Sequence, residues 1–457
     1  MTISTLPAGQ SWFKILNWLA RACFAFSLIA LPLRYRFTLI ERPNPPIYID
    51  YIYVLIYISD LALLFTLVFW LASLAFERRR LKWGPGFLSL PIGGLIVIGL
   101  LSSLFSVDPL LSFYHTIRIA LLAGFALYVL NEIHSLDMVI LPVLAQVFVQ
   151  SVVGVTQVLQ QRSLGLAWLG ELDLDPAWSG VSILLVDGIR TLRAYGLTDH
   201  PNILGGSLAF GLLLTAGWFS CTRPRYQILI TGIFALGTIG LLLTFSRSAW
   251  LAMVCGFSLL AAWLWQTGQR KPLWASLSLG IAGLLVLLPF VWQNADLIGV
   301  RFNRGGSFTD ATPENQAIGE RTLLIAASNQ IFFNRPFTGS GLGTSPVALK
   351  EAFPDFPVNY QPAHFVLVAA AAETGILGAL LMLTAFVGPW AAMWLNRRRL
   401  VFSPALITTS SLLLAVTLVG FFDYYTWLLP AGRLWQWFAW GMWGSIYLSS
   451  RNKRSHD

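Results

Sequence analysis

Residues 241–256 read LLLTFSRSAWLAMVCG, two apolar runs that meet at the tripeptide SRS. An arginine at the centre of a bilayer is costly, so Arg247 is expected at the end of a membrane span rather than in its middle. The sequence therefore predicts two membrane helices joined by a short turn. In that turn Arg247 either reaches the lipid headgroups or belongs to a functional site.

The composition is that of an integral membrane protein. Of the 457 residues, 56% are hydrophobic and 11% are charged, whereas soluble domains carry about a quarter charged residues. The net charge of +9 is interpreted by position, since no aromatic-interleaved basic patch or nucleic-acid motif accompanies it, and nucleic acid is not expected as a partner. Cys23, Cys221 and Cys255 lack metal-ligand spacing and a CxxC pair, so neither a disulfide framework nor a zinc site is supported. No cofactor is expected.

Twelve apolar segments have the length that a bilayer core requires. They lie near 15–33, 51–76, 86–105, 113–130, 138–159, 202–219, 228–245, 249–265, 275–293, 364–395, 404–422 and 431–449. We therefore predict an all-α polytopic membrane protein with about twelve transmembrane helices, forming a single integral membrane domain over residues 1–457.

Basic residues beside the spans indicate the orientation, because lysine and arginine near spans are retained in the cytoplasm. Five segments are basic: ERRRLK (77–82), TRPR (222–225), GQRK (268–271), NRRR (396–399) and RNKR (451–454). With the N-terminus inside and twelve crossings, all five fall on the cytoplasmic face. Both termini are therefore expected in the cytoplasm.

This orientation leaves two long segments outside, an outer loop at 160–201 and a large loop at 294–363 between spans nine and ten. Long loops are usually functional or disordered. The apolar spacing of RTLLIAASNQIFF (321–333) predicts an amphipathic helix, and TGSGLGTSP (338–346) indicates a flexible turn.

Three polar motifs fall on the outer face, each at the start of a span. They are RAYGLTDHPN (193–202), SRS (246–248) and PAH (362–364). Helix N-termini carry unpaired N–H groups and the positive end of the helix dipole. Together with Arg193 and Arg247, these helix N-termini would form an anion-binding site if the helices pack together. Four residues suit the N-cap positions: Thr198 or Asp199, and Ser246 or Ser248.

His364 is the candidate catalytic residue, because a neutral imidazole can accept a proton near neutral pH. Simpler readings exist for every member of the group. His364 is alternatively a capping or interfacial residue, Arg193 a solvated loop charge, and Arg247 a side chain that reaches the headgroups. For Asn202 and His200, the alternative is that each only forms hydrogen bonds with backbone groups at a helix start. Their common location on one face favours a site.

Acidic residues are weaker candidates. Asp60 and Glu373 lie within spans, where an ionisable residue is a functional candidate by default. Glu373 follows His364 by nine residues, which places the two on opposite faces of an uninterrupted helix. Asp423, in FFDYYTW (421–427), is expected in an interfacial aromatic belt, with contact to a sugar as the alternative.

At these motifs the chain resembles the O-antigen ligase and polymerase superfamily of bacterial membrane proteins. The resemblance rests on RAYGLTDHPNILGG, on TFSRSAWLA, on NRPFTGSGLG after Glu320 and Arg321, and on HFVLVAAAAETGILG. These motifs occur in that order over about residues 190–380.

O-antigen ligases are multispanning glycosyltransferases that take a glycan from undecaprenyl diphosphate at the outer face of the inner membrane and attach it to lipid A core. The resemblance implies a GT-C-like membrane architecture and metal-independent transfer. It implies that Arg193 and Arg247 bind the diphosphate and that His364 is the base or orienter for the acceptor hydroxyl. Arg321 becomes a secondary candidate for binding phosphate or anchoring the loop. Phe365 departs from the family pattern, which often has asparagine after this histidine.

Other functions stay open at this stage. A polysaccharide polymerase of the same superfamily would use the growing glycan as acceptor. A transporter for bicarbonate or another anion would use the arginines to attract its substrate. A non-catalytic partner in polysaccharide export would not require His364.

Overall fold

The computed structural model describes residues 8–77, 79–302 and 313–452. In that part of the chain sixteen α-helices, three short 3-10 helices and four short strands form. The helices are α1 (Ala8–Ala30), α2 (Ile49–Ile52), α3 (Ile58–Glu77), α4 (Gly86–Leu104), α5 (Pro109–Glu132), α6 (Ile140–Gln160), α7 (Pro201–Trp218), α8 (Pro224–Leu243), α9 (Arg247–Gln266), α10 (Arg270–Gln293), α11 (Ala295–Arg301), α12 (Pro313–Asn334), α13 (Ser345–Ala352), α14 (Val366–Asn396), α15 (Pro404–Phe422) and α16 (Pro430–Asn452). The strands are β1 (Arg36–Ile40), β2 (Val54–Tyr57), β3 (Ile183–Val186) and β4 (Ile189–Leu192).

The predicted all-α polytopic fold is confirmed. Eleven helices among the described residues are long and apolar enough to cross a membrane, namely α1, α3 to α10, α14 and α15. The twelfth predicted span, 431–449, folds as α16 but does not reach that hydropathy, because it includes polar residues such as Arg433 and Gln436. Helix α16 nevertheless packs against α5 and α15 as a member of the bundle.

The second predicted span begins later in the structure than in the sequence prediction. It starts at Ile58 instead of residue 51, because residues 54–57 form β2. Strand β2 pairs antiparallel with β1, with Arg36 opposite Tyr57. Strands β3 and β4 form a second antiparallel hairpin inside the 160–201 segment.

One end of the bundle collects the N-termini of α7, α9 and α14. Backbone hydrogen bonds join the loops there: Val107 N–H donates to the Ser340 carbonyl, and Ala194 N–H donates to the Leu243 carbonyl, both at 2.9 Å. We call this the site end.

The opposite end carries the basic segments, and we call it the basic end. Residues 222–225, 268–271 and 396–399 all lie where α7, α9 and α14 finish. The chain after α14 is tied there to the last turn of α16, because Val401 N–H donates to the Ser450 carbonyl. The predicted separation of basic flanks from polar motifs is therefore present in the fold.

Helix α7 lies at the centre of the bundle, since every residue from 201 to 217 is buried. Gly205 permits its contact with the start of α9. A Cβ atom at Gly205 would lie 2.9 Å from both Ala249 Cβ and Thr244 Oγ1. Small residues allow membrane helices to approach in this way. The contact brings residues 200–202 beside the turn that contains Arg247.

The predicted amphipathic helix at 321–333 is confirmed as helical, within α12. The expectation of a flexible turn at 338–346 is wrong. From residue 339 onward this segment is buried, with Gly339, Gly341 and Gly343 at φ of 66°, 111° and 75°. A Cβ atom at Gly339 would lie 2.3 Å from the carbonyl of Glu373. The glycines are therefore required for close docking onto α14.

Candidate functional site

A polar cavity of about 330 Å³ lies at the site end. Five segments form it: α2 with the residue before it, the loop before β3, the start of α7 with the turn before it, the residues before α14, and the loop between α15 and α16. We call it the site cavity, and it is lined by Tyr48, Asp50, Tyr51, Gly180, Asp199, His200, Asn202, Ile203, Asn359, Gln361, His364, Asp423, Tyr424, Tyr425 and Leu429.

His364 lies in the cavity wall, two residues before α14 begins. Its ring meets the Tyr424 ring edge to face, with centroids 4.8 Å apart. Its Nδ1 is buried and has no hydrogen-bond partner within the described part of the chain. Burial lowers the pKa of His364 to about 4, with the Asp423 charge opposing this shift and the Arg321 charge adding to it. The imidazole is therefore neutral at neutral pH and can accept a proton.

His200 occupies the N-cap position of α7. Its Nδ1 accepts a 3.1 Å hydrogen bond from the Asn202 backbone N–H. The predicted caps Thr198 and Asp199 are therefore wrong: the Thr198 hydroxyl donates to the Tyr195 carbonyl, and Asp199 pairs with arginines. Burial, followed by the Arg193 charge, lowers the pKa of His200 to about 3. His200 is thus a neutral cap beside the cavity.

Asn202 connects two charged side chains. Its Oδ1 accepts a 2.8 Å hydrogen bond from Arg193 Nη2, and its Nδ2 donates a 2.9 Å hydrogen bond to Asp423 Oδ2. The other Asp423 oxygen accepts from the Tyr424 backbone N–H at 2.9 Å. Asp423 is consequently fixed in the cavity wall that also contains His364.

Arg193 is enclosed by protein. Only 5% of its surface is exposed. Besides the bond to Asn202, its Nε donates to the Thr244 carbonyl at 2.7 Å and its Nη1 to Ser182 Oγ at 2.6 Å. These bonds use three of the five guanidinium N–H groups. Arg193 therefore supports the turn between α8 and α9 as well as the cavity.

Arg193 lies within electrostatic range of three other arginines. Burial lowers the pKa of Arg193, and the positive charges of Arg301, Arg321 and Arg247 lower it further. We call these four residues the arginine cluster. The three neighbouring charges disfavour the charge of Arg193, so a nearby anion would relieve the repulsion.

Arg247 is the first residue of α9 and is half-buried. Its Nη1 donates to the Arg301 carbonyl at 3.4 Å, and Arg301 Nε donates to the Phe245 carbonyl at 3.0 Å. Phe245 has a φ of 48°, a left-handed conformation that costs an aromatic residue energy and is found mainly at functional or tightly constrained positions. Arg247 is thus held against the end of α11.

The predicted serine caps of α9 are only half right. Ser246 occupies the N-cap position, but its side chain makes no capping hydrogen bond. Its hydroxyl instead lies 3.3 Å from the Ser248 hydroxyl. The first N–H groups of α9 are therefore not satisfied by Ser246.

The structure divides the predicted site residues into two groups. His364, His200 and Asn202 line the site cavity, whereas Arg193, Arg247 and Arg321 lie outside its lining. The two groups are connected by the hydrogen bond from Arg193 to Asn202 and by the electrostatic effect of Arg321 on His364.

Asp423 corrects the sequence prediction. It is buried and lines the cavity instead of belonging to an interfacial belt. Arg301 was not identified from the sequence at all. The position of each residue along the chain could have indicated its place in the site. Asp423 follows α15 directly, and Arg301 ends the short helix after α10, each at the site end.

Glu373 lies within α14 and makes no hydrogen bond to His364, as the sequence predicts. Its carboxylate accepts from the Gly343 N–H at 2.7 Å, from the Ser345 hydroxyl at 2.6 Å and from Trp427 Nε1 at 2.7 Å. Glu373 thereby ties the glycine segment to the loop that contains Asp423.

Asp60, the other acidic residue predicted within a span, has a local structural partner. Both of its carboxylate oxygens accept from Arg118 Nη2 at 2.9 Å. Asp60 also accepts a 3.1 Å hydrogen bond from the Tyr57 N–H at the end of β2. It therefore anchors the start of α3 to α5.

Comparison with known families agrees with this geometry. Residues 232–383, about a third of the chain, match the O-antigen ligase family, and this segment contains Arg247, Arg321 and His364. The chain matches no curated protein. Family members are glycosyltransferase-type enzymes that act on glycan and lipid-linked substrates. Residues 232–383 are thus similar to the O-antigen ligase family, within a chain whose described part contains eleven helices long and apolar enough to cross a membrane.

Proposed function

We propose that this protein transfers a glycan from undecaprenyl diphosphate to a hydroxyl of lipid A core or another surface acceptor at the outer face of the bacterial inner membrane. One observation carries the proposal. The neutral His364 shares a cavity with Asp423, and Asp423 is connected through Asn202 to the arginine cluster. The proton acceptor and the cations thus lie at the same end of the bundle, and Asp423 belongs both to the cavity of His364 and to the hydrogen-bond chain that reaches Arg193.

His364 acts as the general base in this proposal. It takes the proton of the acceptor hydroxyl while the hydroxyl oxygen attacks the anomeric carbon of the donor sugar. The Asp423 charge stabilises the imidazolium that forms, in keeping with its effect of raising the pKa of His364. The position of His364 in the wall of the site cavity supports this role, because an acceptor bound in the cavity would lie beside its ring.

The arginine cluster stabilises the leaving group. As the bond between the anomeric carbon and the diphosphate oxygen breaks, its electron pair stays on the undecaprenyl diphosphate. Fixed cations and helix N-termini favour this negative charge without reorganisation. Arg247 and Arg321 are half-buried and therefore suit direct contact with phosphate oxygens. Arg193, with three N–H groups already bonded, contributes charge and holds the turn.

A single displacement of this kind inverts the anomeric configuration. The cavity also separates the substrates by charge, because Asp423, which has no direct ion pair, is one of its lining residues and disfavours a diphosphate there. Carboxylate and amide oxygens instead accept hydrogen bonds from the hydroxyls of a neutral sugar. We therefore assign the acceptor to the site cavity and the diphosphate to the arginine cluster.

The orientation supports the location of this reaction. Lysine and arginine beside spans are retained in the cytoplasm, so the basic end is assigned to the cytoplasm and the site end to the outer face. The lipid-linked donor would then approach from the outer leaflet, with membrane lipids around the bundle.

A transfer assay on the purified protein in nanodiscs tests the proposal. The protein is incubated with an undecaprenyl diphosphate-linked glycan, either alone or with lipid A core, and both products are quantified. Release of undecaprenyl diphosphate in step with glycosylation of lipid A core is the expected result. Lengthening of the glycan with donor alone would identify the growing glycan as acceptor and overturn the ligase assignment. Donor cleavage that yields only free glycan would overturn transfer altogether.

A further inference from the structure

A second, apolar depression lies between α8, α9 and α10. It has a volume of about 370 Å³ and almost no polar lining. We call it the lipid groove, and its lining includes Leu241, Leu242, Trp250, Phe257, Ile281 and Leu284. Ile281 and Leu284 are 56% and 64% exposed, so the groove opens sideways, where the bilayer would be.

The groove is continuous with the arginine cluster. In α9, Arg247 begins the helix and Trp250 lies one turn further into the bundle, in the groove wall. Arg301 and Phe302 make a second connection: Arg301 belongs to the cluster, and the Phe302 ring lies 6.1 Å from the Trp250 ring. Cations therefore stand at the top of an apolar channel.

Close helix approach shapes the groove. Gly280 of α10 faces Phe257 of α9, and a Cβ atom there would lie 2.8 Å from the phenyl ring. Ser258 is a second small residue in the wall. Small side chains at a helix contact let the two backbones approach closely, so α9 and α10 form a continuous wall of the groove.

We propose that this groove holds the polyisoprenoid chain of the lipid-linked donor. The inference rests on the proposed function and extends it, since it states where the apolar half of the donor lies. Charge complementarity selects the occupant: a lipid with a diphosphate headgroup matches cations above and an apolar wall below, whereas a zwitterionic phospholipid brings its own cation to the cluster.

The groove positions the donor more than it increases affinity. Bilayer acyl chains are as apolar as the groove wall, so moving an isoprenoid chain from lipid into the groove yields little hydrophobic free energy. Aligning the chain below Arg247 restricts where the diphosphate and its sugar can lie, and such positioning accelerates a reaction. The location of the chain is therefore the property to measure.

Site-specific photo-crosslinking provides this measurement. The photoreactive residue p-benzoylphenylalanine replaces Leu284 in one sample and Leu285 in the other. The two neighbours are similarly exposed, at 64% and 61%, but only Leu284 lines the groove. Each protein, in nanodiscs, is irradiated with labelled undecaprenyl diphosphate, with and without excess inorganic pyrophosphate. Retention of labelled pyrophosphate is measured separately.

We expect strong labelling at position 284 that pyrophosphate suppresses, and weak, unsuppressed labelling at position 285. Bound pyrophosphate together with equal labelling at both positions would overturn the groove while leaving the proposed anion site intact. No retained pyrophosphate and no suppressible labelling would overturn the proposed anion site, and the groove with it. Suppression by phosphatidylglycerol as effective as that by pyrophosphate would identify an ordinary lipid site and also overturn the proposal.

A second pair of variants tests the same inference without photochemistry. Leu284→Trp fills the groove, and Leu285→Trp adds the same bulk beside it. We expect only Leu284→Trp to lose the binding of undecaprenyl diphosphate that excess inorganic pyrophosphate suppresses. Both variants should still bind pyrophosphate. Equal binding of undecaprenyl diphosphate by the two variants would contradict the groove.

Discussion

Arg193 and Asp423 are oppositely charged and are joined through one neutral carboxamide. Asn202 accepts from the guanidinium at 2.8 Å and donates to the carboxylate at 2.9 Å. A direct ion pair would neutralise both charges. The intervening amide instead leaves Arg193 positive towards the other arginines and Asp423 negative towards His364. The carboxylate that faces the cavity of His364 and the cations are thus fixed relative to each other and keep their opposite charges.

Removal of this amide should lower turnover. Hydrogen bonds to charged groups contribute about 1.5–3 kcal/mol each, so we expect Asn202→Ala to reduce kcat by roughly tenfold to a hundredfold. Asn131→Ala is the matched control, since Asn131 bridges the Lys82 backbone at the basic end. Steady-state transfer rates on folded protein measure the effect. Equal losses in both variants would indicate a general folding defect instead.

The pH dependence of kcat/KM should reflect His364. Its pKa is lowered to about 4, so the base form prevails at neutral pH and is lost as pH falls through about 4. Asp423→Asn removes the negative charge that raises this pKa, and should therefore move the acid limb to lower pH while decreasing the maximal rate. An acid limb that stays in place in Asp423→Asn would separate the carboxylate from the base.

Arg247 should control diphosphate affinity. We expect Arg247→Ala to weaken inhibition by pyrophosphate by about tenfold or more, since charge-assisted hydrogen bonds are worth about 1.5–3 kcal/mol. Arg247→Lys should restore part of the affinity, because it keeps the charge and loses the planar fork. Arg225→Ala, at the basic end, serves as the control and should leave inhibition unchanged. Unaltered inhibition in Arg247→Ala would place the diphosphate elsewhere.

Glu373 should matter for stability. Its removal in Glu373→Ala leaves the donors of Gly343, Ser345 and Trp427 without their partner, and each buried unsatisfied group costs about 1–3 kcal/mol. We expect a clearly lower Tm in detergent, with unfolding measured by tryptophan fluorescence. Asp137→Ala is the control, because Asp137 also accepts an indole N–H, from Trp218, but at an exposed location. A Tm loss no larger than that of the control would contradict the tie.

The contact at Gly205 should be required for the arrangement of arginines. A leucine there would overlap Ala249 and Thr244, and so push α7 away from the turn that contains Arg247. We expect Gly205→Leu to abolish transfer or folding. Gly232→Leu in α8 meets nothing within 4 Å and should be tolerated. Activity in Gly205→Leu equal to that of Gly232→Leu would show that this approach is dispensable.

Hydropathy predicts most of the bundle, because length and composition are enough to identify a membrane span. The shared side of Arg193, Arg247 and His364 follows from counting crossings. Contacts between distant segments are not encoded in this way. The carboxylate of Glu373 converts residues 339–346 from an apparent loop into a buried structure, and Asn202 recruits Asp423 across 221 residues of sequence.

The most direct test of the account compares His364→Ala with His134→Ala in a single-turnover reaction with bound donor. His134 is a histidine at the basic end, where its Nδ1 contacts Ser445 Oγ. We predict that both variants bind undecaprenyl diphosphate-linked glycan, that His134→Ala transfers the glycan at the wild-type rate, and that His364→Ala transfers almost none. Wild-type transfer by His364→Ala would contradict the assignment of His364 as the base.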